Sequence, residues 1–221
     1  MKRIKHFFCI TILAFAAISA DAQSDSATDL PNFLFPRFTR CTIKFKSGDS
    51  KTGIINYNII DEEVVFLEGD KYMVLDNPSA IDTIYMDNRK FIPFKAAFYE
   101  VVLTGTVSLF IQHKSIIEDM GTPTGYGATT KTSNSQYVRQ VYGPIGSSNL
   151  SIPDNLKITD NTTYWVRKDS SMEKFINKRQ FLKIFKDKEK ELNKFIDSNS
   201  SNFKKPDDVV RLCNYCAGLF K

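Results

Sequence analysis

Between residues 40 and 120 apolar and polar side chains take turns along the chain. Cys41, Ile43 and Phe45 alternate with Thr42, Lys44 and Lys46, a period of two that suits a half-buried strand. Ser47, Gly48, Asp49 and Ser50 interrupt the pattern as a turn, and residues 53–60 resume it as extended chain. Val64, Val65, Phe66 and Leu67 stand across Glu68, Gly69, Asp70 and Lys71 from Tyr72, Met73, Val74 and Leu75, the pattern of a hairpin. Residues 81–86 and 89–94 flank Asp87 and Asn88 in the same way. Residues 98–103 and 107–117 add two strands around Gly105, and residues 156–167 add another, with 172–176 pairing back on it. Strands this short and evenly spaced predict an antiparallel meander, a curled sheet or a small barrel.

The period then changes. Residues 178–185 place Phe181, Leu182 and Phe185 at helical spacing, and residues 188–197 do the same with Leu192, Phe195 and Ile196. A third helical pattern over residues 206–217 carries Val209, Val210, Leu212, Cys213 and Cys216. Pro206 suits a first helical turn, Asp207 and Asp208 favour that end electrostatically, and Gly218 is a natural stop. The expected fold class is α+β: an antiparallel β-rich meander or small barrel over residues 40–168, followed by a turn and short helical C-terminal region over residues 169–221.

Three segments follow neither period. Lys2, Arg3 and Lys5 precede an apolar run of about a dozen residues, and Ala20, Asp21 and Ala22 supply small residues at the positions a signal peptidase reads. The run is shorter than the roughly 20 residues a spanning helix needs. Residues 1–22 are therefore expected to be a cleaved secretory leader, making the protein periplasmic or extracellular, with no membrane span in the mature chain. Residues 23–39 open polar and then turn aromatic, with Phe33 and Phe35 between Pro31 and Pro36, and read as an extended arm laid on the body. Residues 121–148 are rich in Gly, Ser, Thr and Asn, with Tyr126, Tyr137 and Tyr142 spaced among them. Loops this long are either functional or disordered insertions. Tyrosine on such a loop offers a large contact area with adaptable hydrogen bonding, so these three are the candidate ligand- or partner-binding residues.

Composition adds little about chemistry. Eighteen Phe and nine Tyr argue against disorder. Charge is uneven: residues 167–221 hold fourteen Lys and Arg against eight Asp and Glu, while residues 23–166 are net acidic. A basic C-terminal region could favour an anionic surface or could simply be a solvated helical face, and no nucleic-acid motif is present. After the leader, His113 is the one histidine, so a histidine-rich zinc site is excluded by count and a Ser-His-Asp site would have to use it. No cofactor or metal is expected. Asp61, Glu62 and Glu63 are adjacent and read as a solvated turn rather than the opposed pair acid–base catalysis needs.

Cys41, Cys213 and Cys216 form an odd set for an exported chain, open to a disulfide, a free thiol or apolar packing. Cys213 and Cys216 form a CxxC, but in the last turn of a helix, where the dipole disfavours a thiolate.

Several stretches together resemble a family of uncharacterised exported proteins of Gram-negative bacteria. They are Asn56-Tyr57-Asn58, Arg89-Lys90-Phe91-Ile92-Pro93, Phe98-Tyr99-Glu100-Val101-Val102, Gly125-Tyr126-Gly127 and the close from 203 to 216. The resemblance implies one continuous β-then-α unit and brings no activity with it. The reading that follows is a non-enzymatic binding or scaffold protein of the cell envelope, with an envelope protein or an anionic surface as partner. Its rivals are a hydrolase-type enzyme whose site is invisible in sequence and a thiol-active accessory protein using Cys213 and Cys216.

Overall fold

A computed structural model describes residues 30–69, 71–123, 129–130, 156–168 and 171–220. Strands β1 (Thr39–Phe45), β2 (Ser50–Asn58), β3 (Glu63–Glu68) and β4 (Lys71–Val74) make one antiparallel meander. A second consists of β5 (Ile81–Met86), β6 (Arg89–Phe94), β7 (Ala97–Leu103) and β8 (Val107–Gln112). The two are joined along β1 and β5. Tight turns make this possible: Gly48 takes φ +96°, and Asp87 and Asn88 both take left-handed φ, the backbone that matches strand twist in a two-residue hairpin.

Beyond β8 the chain bends at His113 and Lys114 into β9 (Ser115–Asp119), followed by the two-residue strands β10 (Thr122–Pro123) and β11 (Thr129–Thr130). It returns through β12 (Leu156–Asp160), bends again at Asn161 and Thr162, and re-enters the main sheet as β13 (Thr163–Lys168) and β14 (Ser171–Phe175). The stretches 107–117 and 156–167, each expected as one strand, are therefore each broken in two. The cause lies in β2's follow-on turn. Ser115 N donates to Ile59 O at 2.7 Å, and Ile117 buries against Ile60, so the β9–β12 ribbon leans away from the main sheet.

The ten strands run β14-β13-β8-β7-β6-β5-β1-β2-β3-β4, open at both ends. The sheet curls without closing: Phe98 N on β7 donates to the Tyr57 hydroxyl on β2 at 3.4 Å, although three strands separate them in the order. The open meander forms rather than the small barrel. Inside the curl Ile55, Tyr57, Ile84, Met86, Phe91 and Phe98 make one core. The arm reaches this core through Phe35, which meets the Phe91 ring at 6.4 Å, and the buried Asn56 side chain fixes it by accepting from Phe35 N and donating to Phe35 O.

The other core lies under three helices, α1 (Lys178–Ile184), α2 (Glu189–Ser198) and α3 (Pro206–Gly218). The Asn177 side chain caps α1 by accepting from Gln180 N, while Gln180 Oε1 accepts in return from Ile176 N, a near-reciprocal cap. Val209, Leu212, Cys213 and Cys216 form the buried stripe of α3, which packs on β7 and β8. Residues 107–111 of β8 are all buried, because the helices cover one face and an outer aromatic cluster covers the other. No helix among the described residues is long and apolar enough to cross a membrane.

Candidate functional site

One row of paired residues crosses both cores: Ile43, Ile84, Phe91, Glu100, Ile111, Tyr164 and Phe175. Glu100 is the one ionisable carboxylate in that apolar row, and it falls on the seam between the curled half and the helix-capped half. A carboxylate there is costly unless charges and donors meet it. Arg89, at the start of β6, supplies both, with Nε donating to Oε1 at 2.7 Å and Nη2 donating to Oε2. The Arg89 guanidinium also lies 5.1 Å from the Phe35 ring centre and 5.5 Å from that of Phe91.

His113 completes the cluster from the bend after β8. Its Nε2 lies 2.6 Å from Glu100 Oε2 and 2.7 Å from Arg89 Nη2. That nitrogen either carries a proton and donates it to Glu100, or is bare and accepts from Arg89. The side chains of Glu100 and His113 are each 13% exposed. Burial pushes the Glu100 carboxyl up, but the hydrogen bonds and charge of His113 and Arg89 outweigh it and hold it at about 2.

A second polar network lies at the same end of β8. Glu62 sits in the β2–β3 turn with φ 61° and its side chain only 11% exposed. It accepts from Gln112 Nε2 and Lys114 Nζ, and Gln112 Oε1 in turn accepts from Trp165 Nε1 at 3.0 Å. The solvated turn expected of residues 61–63 is therefore wrong for Glu62, which is drawn in by the Lys114 cation and the Gln112 amide. Burial, with the Glu62 charge adding, pushes the nearby Tyr99 phenol up to about 12.

Chemically, both networks hold strands rather than offer a reactive group. A general base needs a free lone pair and a pKa near the working pH. Glu100 has both oxygens engaged and a pKa far below neutrality. Among the described residues no three His, Cys, Asp or Glu side chains are grouped as a metal site requires.

The candidate residues read from sequence scatter. Tyr126, Tyr137 and Tyr142 lie outside the described residues, as do residues 1–22. Cys41, Cys213 and Cys216 are free and buried, the first in the curled core and the other two in the helix-capped core, so no strand-to-helix bridge is formed. Burial raises all three thiols, Cys216 up to about 12 with Lys168 pulling partly against it. Sequence reasoning passed over Arg89 and Glu100. The signal was there: each shares a strand face with a core aromatic two residues away, Phe91 and Phe98, so alternation places a charge on the buried side.

Fold and site together define an open, curled antiparallel sheet with a three-helix cap, pinned at the seam by the half-buried Arg89, Glu100 and His113 cluster. No family model, curated protein or solved structure matches the chain.

Proposed function

We propose that the chain is an exported, non-enzymatic binding or scaffold protein of the cell envelope of a Gram-negative bacterium. The observation that carries this reading is the edge strand β4. All four of its residues are exposed, Tyr72, Met73 and Val74 among them at 38%, 41% and 39%. Two apolar rows run across the sheet and end there: Ile55, Phe66 and Met73 on the core side, and Ile54, Leu67 and Tyr72 on the other. Proteins ordinarily guard such an edge with charge, proline or a covering element. Here Lys71 is the one charge on the strand, and the three apolar residues beyond it suit addition of an extended segment from an envelope protein whose apolar side chains continue both rows.

The rival chemistries find less support. The seam carboxylate is spoken for by Arg89 and His113. The CxxC thiols are buried with their ionisation suppressed, the opposite of a reactive pair. The test is a photo-crosslinking side chain placed at Tyr72 in the producing cell, with one at Lys174 on the other edge for comparison. Adducts from position 72 alone, mapping to an extended partner segment of alternating apolar residues, are expected. Equal adducts from both edges, or none from position 72, would overturn the reading.

A further inference from the structure

Three cations of the helical cap have acidic partners among the described residues. Lys178 Nζ lies 2.6 Å from Asp197, Arg211 Nη2 lies 2.6 Å from Asp208, and Lys188 Nζ lies 3.9 Å from Glu191. Arg179, Lys183 and Lys186 stand out by being set together around one hollow. They are exposed, and none has an ion pair or side-chain hydrogen bond among the described residues. Their spacing of four and then three residues sets them along one side of α1 and the turn that follows it. With Lys178, Leu182 and Glu189 they line an open hollow of about 700 Å³. Two residues ahead of Lys178 stands Ile176, 50% exposed.

We propose that this stripe docks the protein on an anionic bilayer, the cations meeting lipid phosphates and Ile176 entering the headgroup boundary. Charge complementarity selects a polyanion. The exposed isoleucine two residues ahead of Lys178 selects a bilayer over an acidic polysaccharide, because only the bilayer has an apolar layer beneath its phosphates. Each cation near such a surface contributes about fivefold in partition, so three contribute about a hundredfold. This surface is separate from the β4 edge, and Met73→Lys leaves it intact.

The test is sedimentation of the protein, as recovered from the producing cell, with vesicles of phosphatidylcholine alone or mixed with phosphatidylglycerol. Binding to the mixed vesicles only, weakening steeply as salt shortens the Debye length to about 8 Å at 0.15 M, is expected. Arg179→Gln, Lys183→Gln and Lys186→Gln together should lower it about a hundredfold. Lys46→Gln, Lys51→Gln and Lys90→Gln, an equal charge change at exposed lysines elsewhere, should change it little. Ile176→Ser should weaken it about fivefold, as expected for losing a partly inserted apolar side chain. Unchanged melting curves would show that the exposed substitutions leave the fold alone. Three results would overturn the proposal: no binding to mixed vesicles at low salt, equal losses in the two triple variants, or an Ile176→Ser variant that binds as well as the parent. Insensitivity to Ile176 with competition by a soluble acidic polysaccharide would assign the stripe to that polymer instead.

Discussion

The two edges of the ten-stranded sheet are built from similar lengths of chain and finished in opposite ways. At β14, Phe175 turns inward to meet Phe181 at 5.0 Å and Phe203 at 6.2 Å, and α1 begins three residues later. Glu173 and Lys174, just before Phe175, are both exposed. At β4, by contrast, Tyr72, Met73 and Val74 are each more than a third exposed, and only a single 3-10 turn at Pro78–Ala80, with no buried residue, follows. One edge is anchored by a core, and the other is left as a surface. Exposed apolar side chains on a sheet edge are the surface that an added strand would bury.

The largest expected effect tests the anchored edge. Phe175 is fully buried in the helix-capped core. Phe175→Ala should therefore cost about 3–5 kcal/mol in urea unfolding, from lost transfer energy and the cavity left behind. Val74→Ala, on the open edge, should stay within about 0.5 kcal/mol of the parent. Similar losses at the two positions would show that β4 is packed as firmly as β14.

The seam between the two halves comes next. The folded-state pKa of Glu100, about 2, lies below its ordinary 4.5, so the folded protein binds this proton more weakly than the unfolded chain does. The associated stability is about 3 kcal/mol, present in full above about pH 4.5 and lost as pH falls toward 2. Glu100→Gln should destabilise by a similar amount at neutral pH, and the gap between parent and variant should close across that acid window. A gap that persists unchanged at pH 2.5 would mean that the side chain acts by packing alone.

Most of the sheet could be read from period-two alternation because one face of each strand is covered and the other is not, as with Cys41 and Ile43 on β1. The helices were readable for the parallel reason, their buried stripes at Phe181, Leu192 and Leu212 recurring at helical spacing. The bends at His113 and Asn161 were not, since they follow from a hydrogen bond between Ser115 and Ile59 that lie far apart in sequence. The ion cluster was half legible. A charge on a core face marks Arg89 and Glu100, but that the two meet His113 depends on strand order, which local pattern does not contain. The edge β4 was recognised as a strand, while its being last in the sheet is again a matter of order.

Met73→Lys should have the smallest effect on stability and the sharpest effect on the contrast between the edges. Met73 is 41% exposed at the end of the Ile55–Phe66 row, so replacing it removes little buried area and should move the urea midpoint by no more than about 0.5 kcal/mol. The new ammonium would stand where an added strand must bring its own apolar side chain, and desolvating it there is unfavourable. Lysine stands exposed on both edges, at position 174 of β14 and at position 71 at the start of β4, so the change places a second guard in the middle of the open edge. Crosslinking from position 72 should therefore fall away while the fold and vesicle binding persist. If adducts survive, the contact lies elsewhere than the β4 edge. If the variant instead loses about 2 kcal/mol or more, Met73 is part of a core and the edge is not open in solution.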